Sequence, residues 1–108
     1  MKSQEEIDFY KNQISLMEER YEILFLKNKI SWNKYYDFAL KKLNFNLYYV
    51  WIFLCGLETF IKSHNFEIKD KESLIKNLYK DAENRIYRIL GDSRKVDEYI
   101  RSINTSTS

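Results

Sequence analysis

The chain contains no proline, and its 108 residues include only two glycines, one cysteine and one histidine. Each scarcity excludes something. Without proline, and with only Gly56 and Gly91 to adopt positive φ freely, nothing interrupts long helices, and tight turns have almost no glycine to use. An all-β fold, which needs many such turns, is excluded. Cys55 alone closes no disulfide within the chain. Along one helix Cys55 and His64 would sit about 13 Å apart, whereas proton transfer needs about 3 Å. A lone histidine leaves no Glu-x-x-His or His-x-x-x-His pair for a di-iron or zinc site. No Gly-Lys-Ser or Gly-Lys-Thr loop is present to cradle a phosphate. No catalytic residue, cofactor or metal is therefore predicted, and the chain is not expected to be an enzyme. No charged-then-apolar leader with a small-residue cleavage site is present, so a cytoplasmic location is expected.

What the chain has in excess is aromatic residues: nine Tyr, seven Phe and two Trp. The stretch Leu43–Leu57 runs without a charge, and from Leu47 to Cys55 every side chain is apolar or aromatic. A helix with one wet face would show polar residues every third or fourth position, so this stretch must be surrounded. It is too short to cross a bilayer: its rise is about 22 Å, against a hydrocarbon core of about 30 Å. A buried core helix is expected, with Trp51 in the core, Cys55 as a small buried filler, and Glu58 paired with Lys62 one turn on. The excess of Lys, Asn, Ile, Tyr and Phe over Gly, Ala, Arg and Pro is typical of A/T-rich genes, as in small microbial, phage and plasmid genomes.

Taken in order, Ser3-Gln4-Glu5-Glu6 fits a capping box. Apolar residues follow at Ile7, Tyr10, Ile14, Met17, Tyr21 and Leu24, a heptad seam, with a second stripe at Phe9, Leu16 and Ile23. The first helix is thus expected to touch two neighbours and to end near Lys27. Residues 1–26 carry a net charge of −3 and residues 27–50 a net of +4, which suits antiparallel pairing of the first two helices. Ser31 is a plausible N-cap. Read as one element, residues 32–63 form a long aromatic-rich central helix about 48 Å in length, weakest at Asn44-Phe45-Asn46. Ile75, Leu78, Tyr79, Ala82, Ile86, Ile89 and Leu90 share one face of the next helix, which Gly91 is predicted to end. A short fourth helix follows from Asp92 or Ser93. Residues 1–103 read as a single all-helical domain, and residues 104–108 as a polar flexible tail.

Two binding surfaces compete. Trp32, Tyr35 and Tyr36 with Lys34 combine the usual anchors of a protein interface near a helix start. Lys76, Lys80, Tyr87 and Arg88, followed by Arg94 and Lys95, form a basic stripe with an aromatic inside it, suited to phosphate contact and base stacking. Acids dilute that stripe, since residues 69–108 net only +2. These features predict a compact all-α bundle of three to four helices and a small non-enzymatic protein-binding module. It would act by self-association, most simply as a two-fold dimer, or by docking onto a protein partner. The alternative is a small nucleic-acid-binding regulator using residues 76–101. The dimer is expected because the aromatics of the second helix exceed what three flanking helices can cover.

Overall fold

A computed structural model describes residues 3–63 and 70–106, with side chains described as far as Gly91. The chain is all-α, a bundle of four helices: α1 (Gln4–Lys27), α2 (Trp32–Lys42), α3 (Leu47–Ser63) and α4 (Lys71–Ser106). The apolar helix α3 lies between α1 and α4, and α2 touches all three of the others. Among the described residues no helix is long and apolar enough to cross a membrane.

The expected cap starts α1: the Ser3 hydroxyl accepts the Glu6 amide at 3.3 Å. Ile14, Met17, Tyr21 and Phe25 are buried, so the heptad seam is the core face. The end of α1 shows how a chain poor in glycine stops a helix. Lys29 takes φ 59°, its amide bonds to the Leu26 carbonyl at 3.1 Å, and the Ile30 amide reaches the Phe25 carbonyl at 2.9 Å. This is the Schellman pattern with lysine where glycine is usual, and its customary apolar contact is made by buried Phe25 and Ile30.

The same device divides the expected central helix. Asn44 and Phe45 take φ values of 54° and 56°, and the Phe45 amide bonds to the Leu40 carbonyl at 2.9 Å. Asn46 then caps α3, its side-chain oxygen accepting the Tyr49 amide at 3.1 Å. Residues 32–63 are therefore two helices, broken at the weak point that the asparagines mark. The predicted stop at Gly91 is absent, and α4 runs through it to Ser106, past Asn104 where fraying was expected. No glycine adopts positive φ. A helical glycine costs only about 1 kcal/mol, and the apolar period continues across it at Ile89, Val96 and Ile103. A methyl group added at Gly91 would meet nothing within 4 Å. Gly91→Ala is accordingly expected to raise stability by about 0.5–1 kcal/mol in urea unfolding.

The aromatics fill the interior more completely than the sequence suggests. Trp32 packs edge-on against Phe25 at 5.0 Å and stacks on Tyr36 at 5.2 Å, while Tyr35 meets Tyr79 edge-on at 5.6 Å. Tyr35, Phe53, Leu54 and Leu57 are fully buried. Trp51 is only half-buried, wedged against Phe9, Tyr10 and Tyr48, because it faces the joint between α1 and α3 and not the centre of the bundle. Truncating it should therefore cost less than truncating a fully buried tryptophan.

Candidate functional site

The largest departure from the sequence reading is a charge inside the bundle. Arg85 lies on the apolar phase of α4, between Ala82 and Ile89, and its side chain is 10% exposed. Its guanidinium is satisfied on every side. It bonds to the Asp81 carboxylate one turn back through Nε and Nη2, each at 2.8 Å. Nη2 also donates to the Tyr35 hydroxyl at 3.1 Å, and Nη1 donates to the Phe53 carbonyl. The guanidinium carbon sits 4.2 Å over the Phe53 ring. A buried charge of this kind persists only when paired and fully hydrogen-bonded. Among the described residues no buried side-chain polar atom lacks a partner. The site therefore offers no free acid, base or nucleophile. It is a polar rivet joining α2, α3 and α4.

Gly56 makes room for the rivet. A methyl group there would lie 2.7 Å from Arg85 Cδ and 2.9 Å from Nη1. Those atoms cannot swing away without breaking the bonds above. Gly56→Ala is thus expected to destabilise by about 1–3 kcal/mol, the opposite sign to Gly91→Ala, despite the same gain in helix propensity. Melting both variants side by side checks this pair.

Burial shapes the titration of the tyrosines. It pushes Tyr21 up to about 12, with Glu58 adding to the rise, and Tyr36 up to about 12, with Glu18 adding. It raises Tyr35 further, although Arg85 pulls the other way. The ordinary value is 10.0. Folded tyrosines hold their protons to higher pH than unfolded ones, so their contribution to stability is fully present below pH 10. The fold should lose stability as pH climbs from 10 through 12, in step with tyrosinate absorbance. Tyrosinate appearing at its full amplitude before any unfolding would contradict this burial.

The predicted surfaces fare differently. Trp32 and Tyr35 are buried in the core, Tyr36 is half-buried and only Lys34 is exposed. The helix start that looked open is covered by Phe25 and Tyr21 of α1, so Trp32 and Tyr35 serve chiefly as packing groups. On α4, Lys76, Lys80, Tyr87 and Arg88 are exposed together, Tyr87 at 74%. Beside Tyr87 an open groove of about 270 Å³ is lined by Phe38, Lys42, Glu83, Ile86 and Leu90. The side chains of Arg94 and Lys95, and His64 as a whole, lie outside the described residues. Cys55 is exposed, not a buried filler, and partial desolvation, with the Glu58 carboxylate adding to it, pushes its thiol pKa up. Glu58 pairs with Lys62 at 3.4 Å as expected. Among the described residues no group of three or more His, Cys, Asp and Glu could hold a metal ion.

The surface that the sequence reading missed is the outer side of α1. Phe9, Leu16, Ile23 and Leu26 are between 49% and 76% exposed. The stripe at Phe9, Leu16 and Ile23 was expected to meet a second neighbour within the chain. The helix α1 does touch two neighbours, α3 and α2, but Leu16 and Ile23 face away from both, while Phe9 keeps an edge contact to Trp51 of α3. The stripe's seven-residue spacing is the signal that a coiled-coil-like contact leaves in a sequence. At the end of this stripe a depression of about 210 Å³ is lined by Leu26, Ile30 and Trp32, with Glu22, Ser31 and Asn33 at its rim.

No protein-family model, no curated protein and no solved structure matches this chain.

Proposed function

We propose that this chain is a small non-enzymatic protein-binding module whose binding face is the outer side of α1. The observation that carries the reading is the exposed stripe of Phe9, Leu16, Ile23 and Leu26. Exposed apolar residues scattered singly are ordinary, but four in line on one helix form the kind of patch that a partner covers. The mode is helix-in-groove, with Phe9, Leu16 and Ile23 two turns apart and Leu26 one turn beyond Ile23. The aromatic residues of α2, first candidates for this role, are used up in the core, so the surplus that favours association lies on α1.

Cross-linking in host cells tests where the chain is held. Lys27 lies on α1 beside Leu26, and Lys76 and Lys80 lie on α4. Protein cross-links from Lys27 that disappear in Leu16→Asp are expected. Cross-links confined to Lys76 and Lys80, and unchanged in Leu16→Asp, would overturn the reading.

One observation keeps nucleic acid as a second reading. Asp81, one of the acids that dilute the basic stripe in the sequence, is bound to Arg85, which leaves Lys76, Lys80 and Arg88 around an exposed Tyr87. This face suits a phosphate backbone with one stacked base. Salt-sensitive binding to single-stranded oligonucleotides, lost in Lys80→Glu, would support it.

A further inference from the structure

The outer face of α1 fits one occupant in particular, a second copy of itself. We infer that two chains associate through α1 in antiparallel orientation, with Phe9 of each copy seated against Leu26 of the other. This rests on the reading of α1 as the binding face and adds the partner and its direction.

The outer side of α1 carries Phe9, Leu16 and Ile23 at one heptad position and Asn12, Glu19 and Leu26 at the other. Antiparallel helices set one position against the other. Centred between Met17 and Glu18, the pair forms three layers, each made twice: Phe9 on Leu26, Asn12 on Ile23, and Leu16 on Glu19. The flanks then bring Glu6 against Lys27 of the other copy, and Gln13 against Arg20. Acid meets base at both ends, and no like charges face each other. A parallel pair sets each position against itself. It places Glu19 on Glu19 in the seam and gathers Glu5, Glu6 and Asp8 of both copies at one end. Like charges at such distances repel, and the two helix dipoles add to the conflict. Charge therefore selects the antiparallel form.

The structure adds a receptacle. The depression of about 210 Å³ beside Leu26 has Ile30 and Trp32 in its wall, and the antiparallel register brings the ring of Phe9 to that end. The depression is open and its lining mixes Leu26, Ile30 and Trp32 with Glu22, Ser31 and Asn33, and its volume admits a phenyl ring. Phe9 is held ready for this by edge contacts to Tyr10 at 5.7 Å and Trp51 at 6.0 Å. A seam about 25 Å long buries area at the low end for specific interfaces, so micromolar affinity is expected.

Charge exchange on the full chain, read by sedimentation equilibrium, tests the orientation. Glu6, Glu22 and Lys27 are all exposed. Lys27→Glu should weaken the dimer about tenfold, because it sets a glutamate against Glu6 of the other copy at each of the two ends. Adding Glu6→Lys should restore it to within about threefold. In a parallel pair Lys27 would instead sit beside Glu22, so rescue by Glu22→Lys and not by Glu6→Lys would overturn the inference. Helical signal and melting temperature, measured on each variant, separate lost association from lost folding. A dimer broken by Leu16→Asp but indifferent to all three charge changes would refute the antiparallel register while leaving α1 as the binding face. A wild-type chain that stays monomeric at high micromolar concentration would refute self-association, and the cross-links from Lys27 would then decide the broader reading separately.

Discussion

Arg85→Met is expected to lower the unfolding free energy by about 3 kcal/mol, one of the two largest effects of any single change considered. The substitution keeps much of the side-chain volume, so cavity formation contributes little. What it removes is the partner of a partly buried Asp81 carboxylate, of the Tyr35 hydroxyl and of the Phe53 carbonyl. Breaking one side of a buried pair is costly because the other charge remains without compensation. Converting Asp81 as well, in Asp81→Asn/Arg85→Met, should recover more than half of the loss, since replacing both members of a buried pair is often close to neutral. Urea unfolding of the two variants checks both statements. A single-variant loss below about 1 kcal/mol would mean that the guanidinium is solvated and the rivet contributes little.

Tyr35→Ala should be as severe, about 3–5 kcal/mol, and should leave the chain largely unfolded at physiological temperature. Tyr35 is fully buried and touches Phe25, Trp32, Phe53 and Tyr79. Truncation opens a cavity at the centre of the aromatic cluster and removes one of the two acceptors of Arg85 Nη2. Tyr35→Phe separates the two losses. It keeps the ring and removes only the hydroxyl, so a smaller cost, about 1–2 kcal/mol, is expected. The sequence reading placed Tyr35 on a binding surface, where Tyr35→Ala would weaken a partner by about 2 kcal/mol or more and leave the fold intact. Circular dichroism distinguishes the two. A folded, fully helical Tyr35→Ala protein would return Tyr35 to the surface.

Local rules carried much of the fold. The cap at Ser3, the heptad seam from Tyr10 to Leu24, the cap at Ser31 and the fragility of Asn44-Phe45-Asn46 are short-range features, and each appears where the pattern placed it. Two misreadings and one omission share a cause. Gly91 looks like a helix stop only if a helix-ending turn competes with continuing the helix, and across Gly91 the uninterrupted apolar period favours continuing. Trp32 and Tyr35 look like interface anchors only if α1 leaves their end open, and Tyr21 and Phe25 close it. Arg85 was passed over in the sequence, and only the packing of Gly56 opposite it shows that it lies inside the bundle. In each case long-range packing decided, and a one-dimensional pattern does not record which faces meet. A signal was nevertheless present for Arg85. It occupies an apolar-phase position with Asp81 at i−4, and α3 carries its single glycine in the middle of a run of large side chains.

The same reasoning locates the binding surface. The stripe of Phe9, Leu16 and Ile23 was visible in the sequence, and α1 does meet two neighbours, but the described helices leave Leu16 and Ile23 uncovered. Among the described residues α1 packs against α2 and α3, and no element covers its far side.

The most direct test of the account is sedimentation equilibrium of the full chain from low to high micromolar concentration, alongside Leu16→Asp. The wild-type mass is expected to rise with concentration from 13.2 kDa toward twice that value, while Leu16→Asp remains at 13.2 kDa with an unchanged helical signal. A single 13.2 kDa species across the whole range for the wild type, or a dimer that Leu16→Asp does not disturb, would contradict it.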